Sequence, residues 1–124
     1  MGDRALIQFH AGKEPSPVLY LHWCGESEGV RALLTDTRAL MAGRVDVPYA
    51  LARCIGLAHE RTPGNLSLGV WNQETALSPA DSHGDFGIAR IDLRDWSVEC
   101  FGGYGLDNYR GDDSDTPRHL SIEF

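Results

Sequence analysis

Between residues 4 and 9 apolar and polar positions alternate. Ala5, Ile7 and Phe9 fall on one side and Arg4, Leu6 and Gln8 on the other, which predicts a strand with one clean and one mixed face. Ala11-Gly-Lys-Glu-Pro-Ser-Pro17 reads as a turn. A second strand starts at Val18, with Val18, Tyr20 and His22 on one side of the pleat and Leu19, Leu21 and Trp23 on the other. The short link predicts a hairpin, hence antiparallel pairing. This strand stops at Cys24-Gly25, and Ser27 is placed to cap a helix.

The period then changes from two to about 3.6. Val30, Leu33, Leu34, Thr37 and Met41 make one buried stripe and predict a helix over 28–42, closed by Gly43 as a left-handed cap. A second helix follows, with Asp46 as N-cap and Pro48 in its first turn. Its apolar stripe is Val47, Ala50, Leu51, Cys54, Ile55 and Ala58, whereas Tyr49, Arg53, Gly56 and Glu60 line the opposite side. Thr62-Pro-Gly-Asn65 ends this helical hairpin.

Alternation returns at Leu66–Trp71, Phe86–Leu93 and Trp96–Phe101, with a polar loop over 72–84 and a tight turn at Arg94-Asp95. Residues 102–118 are dense in Gly and Asp and read as irregular, and His119–Phe124 alternates as a short edge strand. No internal repeat is present. The sum is one domain over 1–124 of class α+β: an antiparallel sheet of about five strands with a two-helix hairpin packed on one face. The other face, bearing Arg4, Gln8, Trp71 and Arg90, is expected to complete its burial by oligomerisation.

Composition narrows the classes. A chain of 124 residues with 42% hydrophobic content is globular. No apolar run reaches the length of a membrane span and the N-terminus lacks a signal pattern, so no membrane association and a cytosolic location are expected. Three cysteines, Cys24, Cys54 and Cys100, read as free thiols. A net charge of −7 argues against sequence-independent binding to duplex nucleic acid. It leaves room for a small anion in a local pocket; every cation except Lys13 is an arginine, whose planar fork suits phosphate, and a GC-rich genome would produce the same bias.

Catalysis and metal binding have weak support. Cys24 sits at a strand-to-helix turn, with His22, His59 or His83 as conceivable bases, but the spacing matches no signature. His22, Cys24, Cys54 and His59 supply ligand types without ligand spacing, and Cys54 belongs to an apolar stripe. No catalytic residue, metal or cofactor is expected. Binding remains, with Arg4, His22, Trp23, Tyr49, Arg53, Asn72, Asp85 and Arg90 as candidate groups. Tyr49 and Arg53, one helical turn apart, are either a clamp for a ligand or a solvated face.

Five segments in order, Gly2-Asp-Arg-Ala-Leu-Ile7, Tyr20-Leu-His-Trp-Cys-Gly25, Tyr49-Ala-Leu-Ala-Arg53, Ser67-Leu-Gly69 and Gly84-Asp-Phe-Gly87, give the chain a resemblance to a family of small phage and prophage proteins. The series resembles the first-described Thoeris anti-defence proteins, sponges that sequester cyclic ADP-ribose-type signals and in some members cyclic oligonucleotides. The resemblance implies an α+β homo-oligomer in the host bacterial cytoplasm, with ligand held between subunits by Arg and aromatic side chains. It carries over Arg4, His22, Trp23, Tyr49, Arg53 and Asp85 as ligand-binding positions. Cys24 stands where the family pattern has Asn, Glu26-Ser27 where it has Gly-Arg, and Phe86 where it has Asn. The expected function is thus binding of a cyclic nucleotide immune signal without cleavage. The alternative is an acidic, anti-CRISPR-like inhibitor acting by direct contact on a bacterial defence complex, which the −7 charge also suits.

Overall fold

The computed structural model describes residues 3–61, 68–103, 106–107 and 113–124. Strands β1 (Ala5–Ala11), β2 (Glu14–Pro15) and β3 (Val18–Leu21) precede helices α1 (Ser27–Met41) and α2 (Val47–Arg61). Strands β4 (Leu68–Trp71), β5 (Gly87–Asp92), β6 (Ser97–Phe101) and β7 (Arg118–His119) follow, with one 3-10 turn at Pro79–Asp81. The class is α+β, with two α-helices and one mixed sheet of seven strands among the described residues, in the order β4-β3-β1-β5-β6-β7, β2 pairing with β1 off this path. No helix among the described residues is long and apolar enough to cross a membrane.

Two parts of the expected sheet need correction. The described residues form seven strands rather than about five, and the sheet is not wholly antiparallel: β1 and β5 run parallel, from Ala5 opposite Gly87 to His10 opposite Asp92. The reason is connectivity. The β1–β3 hairpin occupies one side of β1, and β4 adds beyond β3. The next strand can reach the free side of β1 only by crossing over the sheet, and that crossover makes it parallel.

The helical stripes behave as their periodicity demands. Val30, Leu33, Leu34, Thr37 and Met41 of α1 are buried, as are Val47, Ala50, Leu51, Cys54 and Ala58 of α2. They meet Ala5, Ile7, Phe9, Leu19, Leu21, Ala89, Ile91, Val98 and Cys100 from one face of the sheet. Asp46 caps α2 through its Oδ1, which accepts from the Tyr49 amide (3.1 Å). Ser27 is not a cap. Glu26 holds that position, and Ser27 is the first helical residue, with its hydroxyl donating to the Leu106 carbonyl (2.7 Å). At the far end of α1 the left-handed turn begins one residue earlier than Gly43, at Ala42 (φ 50°), and Gly43 continues it (φ 83°).

The second face is not the open surface that the sequence suggested. Leu6, Val18, Ile88 and Phe101 form a second apolar cluster there, and Leu77 from the 72–86 crossover closes it, flanked by Tyr20 and Trp71. The crossover is pinned by one fully buried side chain. Gln8 Nε2 donates to the carbonyls of Ser16 (3.1 Å) and Thr75 (3.0 Å), and its Oε1 accepts from the Leu77 amide (2.9 Å) and Arg90 Nε (3.3 Å). A glutamine in an apolar setting is tolerated only when its amide is saturated, as here.

The helix-ending turn Thr62–Asn65, the Leu66-Ser67 start of the third predicted strand and much of the Gly/Asp segment lie outside the described residues. Its described parts are anchored: Leu106 is buried, Arg118 and Asp107 pair at 2.5 Å, and Gly102 N donates to the Ser114 carbonyl (2.7 Å). Of the predicted last strand, 119–124, only His119 lies in a strand, the two-residue β7 at the sheet edge beside β6, and residues 120–124 form none.

Two expectations follow from this packing. Gln8→Leu strands the Leu77 amide and the Thr75 carbonyl, so urea unfolding should show a loss of about 2–4 kcal/mol; a loss below about 0.5 kcal/mol would show that the crossover does not need Gln8. At the β5–β6 turn a side-chain hydrogen bond from Arg94 takes the Asp92 carboxyl from 3.8 down to about 2. A carboxyl held below its unfolded value adds stability that is whole above about pH 4 and is lost as pH falls toward 2. Urea midpoints measured across that window should fall, and Asp92→Asn should make the fall shallower; an unchanged slope would remove Asp92 as its source.

Candidate functional site

The six candidate residues fall into two groups. The first gathers where β1 begins and β3 ends. The Asp3 amide donates to the His22 carbonyl (2.8 Å), the Gly25 amide to the Asp3 carbonyl (2.9 Å) and the Phe86 amide to the Arg4 carbonyl (3.1 Å). Residues 3 and 4 thus tie the end of β3 to the 84–87 turn. Gly25 has to be glycine for this, because a Cβ there would run into the Asp3 carbonyl.

Within that frame Asp85 Oδ2 accepts from Arg4 Nε (2.9 Å) and from the Arg4 amide (3.1 Å). These bonds hold the Asp85 carboxyl below its ordinary value, with a smaller contribution from the nearby His22. Asp85 lies in the left-handed region (φ 53°), between Gly84 (φ 85°) and Gly87 (φ 83°). A non-glycine residue held in that region needs its surroundings to over-determine it, and the two bonds to Arg4 do so. Arg4 is therefore already paired through its Nε, and that bond holds the turn.

Beside this pair runs a series of rings. Trp71 stacks on His83 (5.5 Å between centroids, 19° between planes), and His83 lies 5.2 Å from Tyr20. The Tyr20 hydroxyl is 2.6 Å from His22 Nδ1, and His22 meets Trp23 edge-on at 5.0 Å. Trp23 is 43% exposed and ends the series at the surface. Tyr20, Trp71 and His83 were not among the expected site residues. The alternation of β3 and β4 carries the signal for two of them, since Val18 pairs with Trp71 and puts it on the face that Tyr20 shares.

The second group lies on the solvent side of the helical layer. Tyr49, 41% exposed, has the Arg53 guanidinium 4.4 Å and the Arg44 guanidinium 4.7 Å from its ring centroid. Arg53 arrives by helical spacing, one turn beyond Tyr49. Arg44 arrives because the left-handed residues Ala42 and Gly43 turn the chain back toward α2; sequence patterning gave it no role. The three side chains, with Leu40 and Gly43, line a concavity of about 490 Å³, within the usual range for a small-molecule site. Among the described residues neither Arg44 nor Arg53 takes part in an ion pair, unlike Arg4, Arg61, Arg90, Arg94 and Arg118.

No hydrogen bond, ion pair or ring contact among the described residues joins the two groups. Asn72 is exposed at the start of the crossover, and Arg90 is drawn into the sheet face beside Gln8. Burial pushes the thiols of Cys54 and Cys100 up to about 12, which keeps both protonated at neutral pH. Cys24 Sγ lies 4.0 Å from the Arg61 carbonyl, and the Nδ1 of its neighbour His22 is engaged by Tyr20.

The role given to Arg4 is directly measurable. Arg4→Met should speed amide hydrogen exchange at Phe86 and Gly87 while leaving α2 protected. Equal exchange in the two proteins would mean that the turn stands without the ion pair. No protein-family model matches the chain, and neither does any curated protein or solved structure compared with it.

Proposed function

We propose that the protein binds and sequesters a cyclic ADP-ribose-type or cyclic oligonucleotide signal without cleaving it, as a phage-encoded anti-defence protein in the host bacterial cytoplasm. The observation that carries this reading is the Arg44–Tyr49–Arg53 arrangement: two guanidinium groups without ion pairs among the described residues, held against one ring at the rim of a concavity. A guanidinium lying over a ring keeps its N–H edges free, and those edges match phosphate bidentately. Holding both in place beforehand lowers the ordering cost of binding. Tyr49 then positions the arginines and is not itself the platform for a base.

The exposed apolar surface sits around the same place. Leu40, Val45 and Tyr49 are all exposed, at the end of α1, in the α1–α2 link and at the start of α2. An apolar rim around two uncompensated cations suits a ligand enclosed between copies of the chain, and we infer a homo-oligomer on that basis. In it the exposed indole of Trp23 is the ring available to stack a base.

Isothermal titration calorimetry with cyclic ADP-ribose isomers and cyclic di- and trinucleotides tests the reading. Saturable binding of at least one is expected. Arg44→Ala and Arg53→Ala should each weaken it by roughly tenfold or more, the equivalent of one charge-assisted hydrogen bond. No heat with any of these compounds would overturn it.

A further inference from the structure

The polar end of the second sheet face forms a site of its own. Register places the side chains there in rows across the sheet: Leu6 beside Ile88 and Phe101, then Gln8 beside Arg90 and Glu99, then His10 beside Asp92 and Ser97. The first row is apolar and lies under Leu77. The second and third are polar, and over Arg90 and His10 opens a cavity of about 400 Å³. Lys13 and Pro15 of the β1–β2 hairpin form one wall, and Glu74 and Thr75 of the crossover the other.

Arg90 is the unusual member. Its side chain is only 15% exposed, yet its hydrogen bonding among the described residues is thin: Nε donates to Gln8 Oε1 at 3.3 Å, to an oxygen that already accepts from Leu77. The nearest carboxylate, Glu99, stands 3.7 Å from Nη1, beyond hydrogen-bond distance, and is 49% exposed. Asp92, in the next row, is engaged by Arg94 through both carboxylate oxygens. A guanidinium has five N–H donors, and burying it with one long bond and one loose counter-charge is costly. His10 adds a second weakly met polar group: its Nδ1 is buried without a well-formed hydrogen bond among the described residues, and the Gly12 backbone gives the ring only a minor interaction. Burial, aided by Arg90, also lowers the His10 pKa, while burial lowers that of Arg90, so the cavity floor disfavours positive charge as it stands.

We propose that this cavity is a binding site for a small oxyanion, a carboxylate or phosphate group, received by Arg90 at the floor and Lys13 at the rim. An oxyanion placed there accepts from the Arg90 N–H groups that have no hydrogen-bond partner among the described residues and neutralises a buried cation held only by a loose counter-charge. Glu74 at the opposite rim restricts the ligand, because it repels a second negative group on that side and favours a hydroxyl or amine next to the anionic head. The site is independent of the Arg44–Tyr49–Arg53 concavity and shares no residue with it.

The test uses the full chain, labelled with nitrogen-15, titrated separately with inorganic phosphate and with malonate at constant ionic strength. Saturable shifts are expected at the amides of Gly12, Lys13, Thr75 and Ala76 and at the Arg90 side-chain Nε–H. A response to phosphate alone assigns a phosphorylated ligand, a response to malonate alone a carboxylate ligand, and a response to both the shared oxyanion chemistry. Lys13→Ala, an exposed substitution that spares the fold, should weaken the response roughly tenfold, and Arg90→Gln should abolish it. Arg53→Ala should leave it intact, which separates this site from the nucleotide reading. Absence of saturable shifts with either anion, or shifts that Lys13→Ala and Arg90→Gln leave unchanged, would overturn the proposal.

Discussion

The saturated amide of Gln8 is the contact on which the arrangement of the chain depends. It sits in the central parallel pair of the sheet and bonds to the hairpin before β3, to the crossover above it and to Arg90 beside it. Through the crossover it sets where Leu77 lands, and so keeps the second apolar cluster dry. A hydrophobic residue in its place would fill the volume but leave two backbone groups of the crossover without partners. The polar side chain is therefore what allows an irregular segment to lie over a sheet face, since buried backbone needs partners that only a second segment can supply.

That covering changes how the molecule presents itself. A half-covered sheet would turn its mixed face to a partner. This sheet is closed on both sides, by helices on one and by the crossover on the other, and its uncommitted groups are displaced to the margins. The α1–α2 link and the start of α2 carry Arg44 and Arg53, neither in an ion pair among the described residues, the end of β3 carries the exposed indole, and the polar end of the second face carries the undercompensated Arg90. Arg4 looked like an equal of Arg53 as a phosphate ligand, but its pairing with Asp85 makes it part of the frame.

The features legible in the sequence were those written at short range. Both helical stripes, the Asp46 cap and the placing of Tyr49 beside Arg53 depend on residues within a turn or two of one another, where period and capping chemistry suffice. The sidedness of β1, β5 and β6 was equally readable, because alternation is local. The parallel pairing of β1 with β5 was not, since nothing in either strand's own pattern names its neighbour. Leu77 is one apolar residue in a polar loop, and its burial depends on Gln8, 69 positions earlier. Arg44 was missed because its position follows from two left-handed residues, of which only Gly43 advertises itself.

The central pairing also dictates an order of assembly. Arg4 and Asp85 are 81 positions apart, so the core of the sheet joins the start of the chain to a strand made much later. The β1–β3 hairpin and the helix pair close over short loops, but one flank of β1 stays without its hydrogen-bonding partner until β5 has been synthesised. During translation that flank, bearing Leu6, Ile7 and Phe9, is an open strand edge of the kind that recruits stray chains. A ribosome stalled anywhere before Gly87 would leave it so, and the nascent protein would need a chaperone, or speed, to stay soluble.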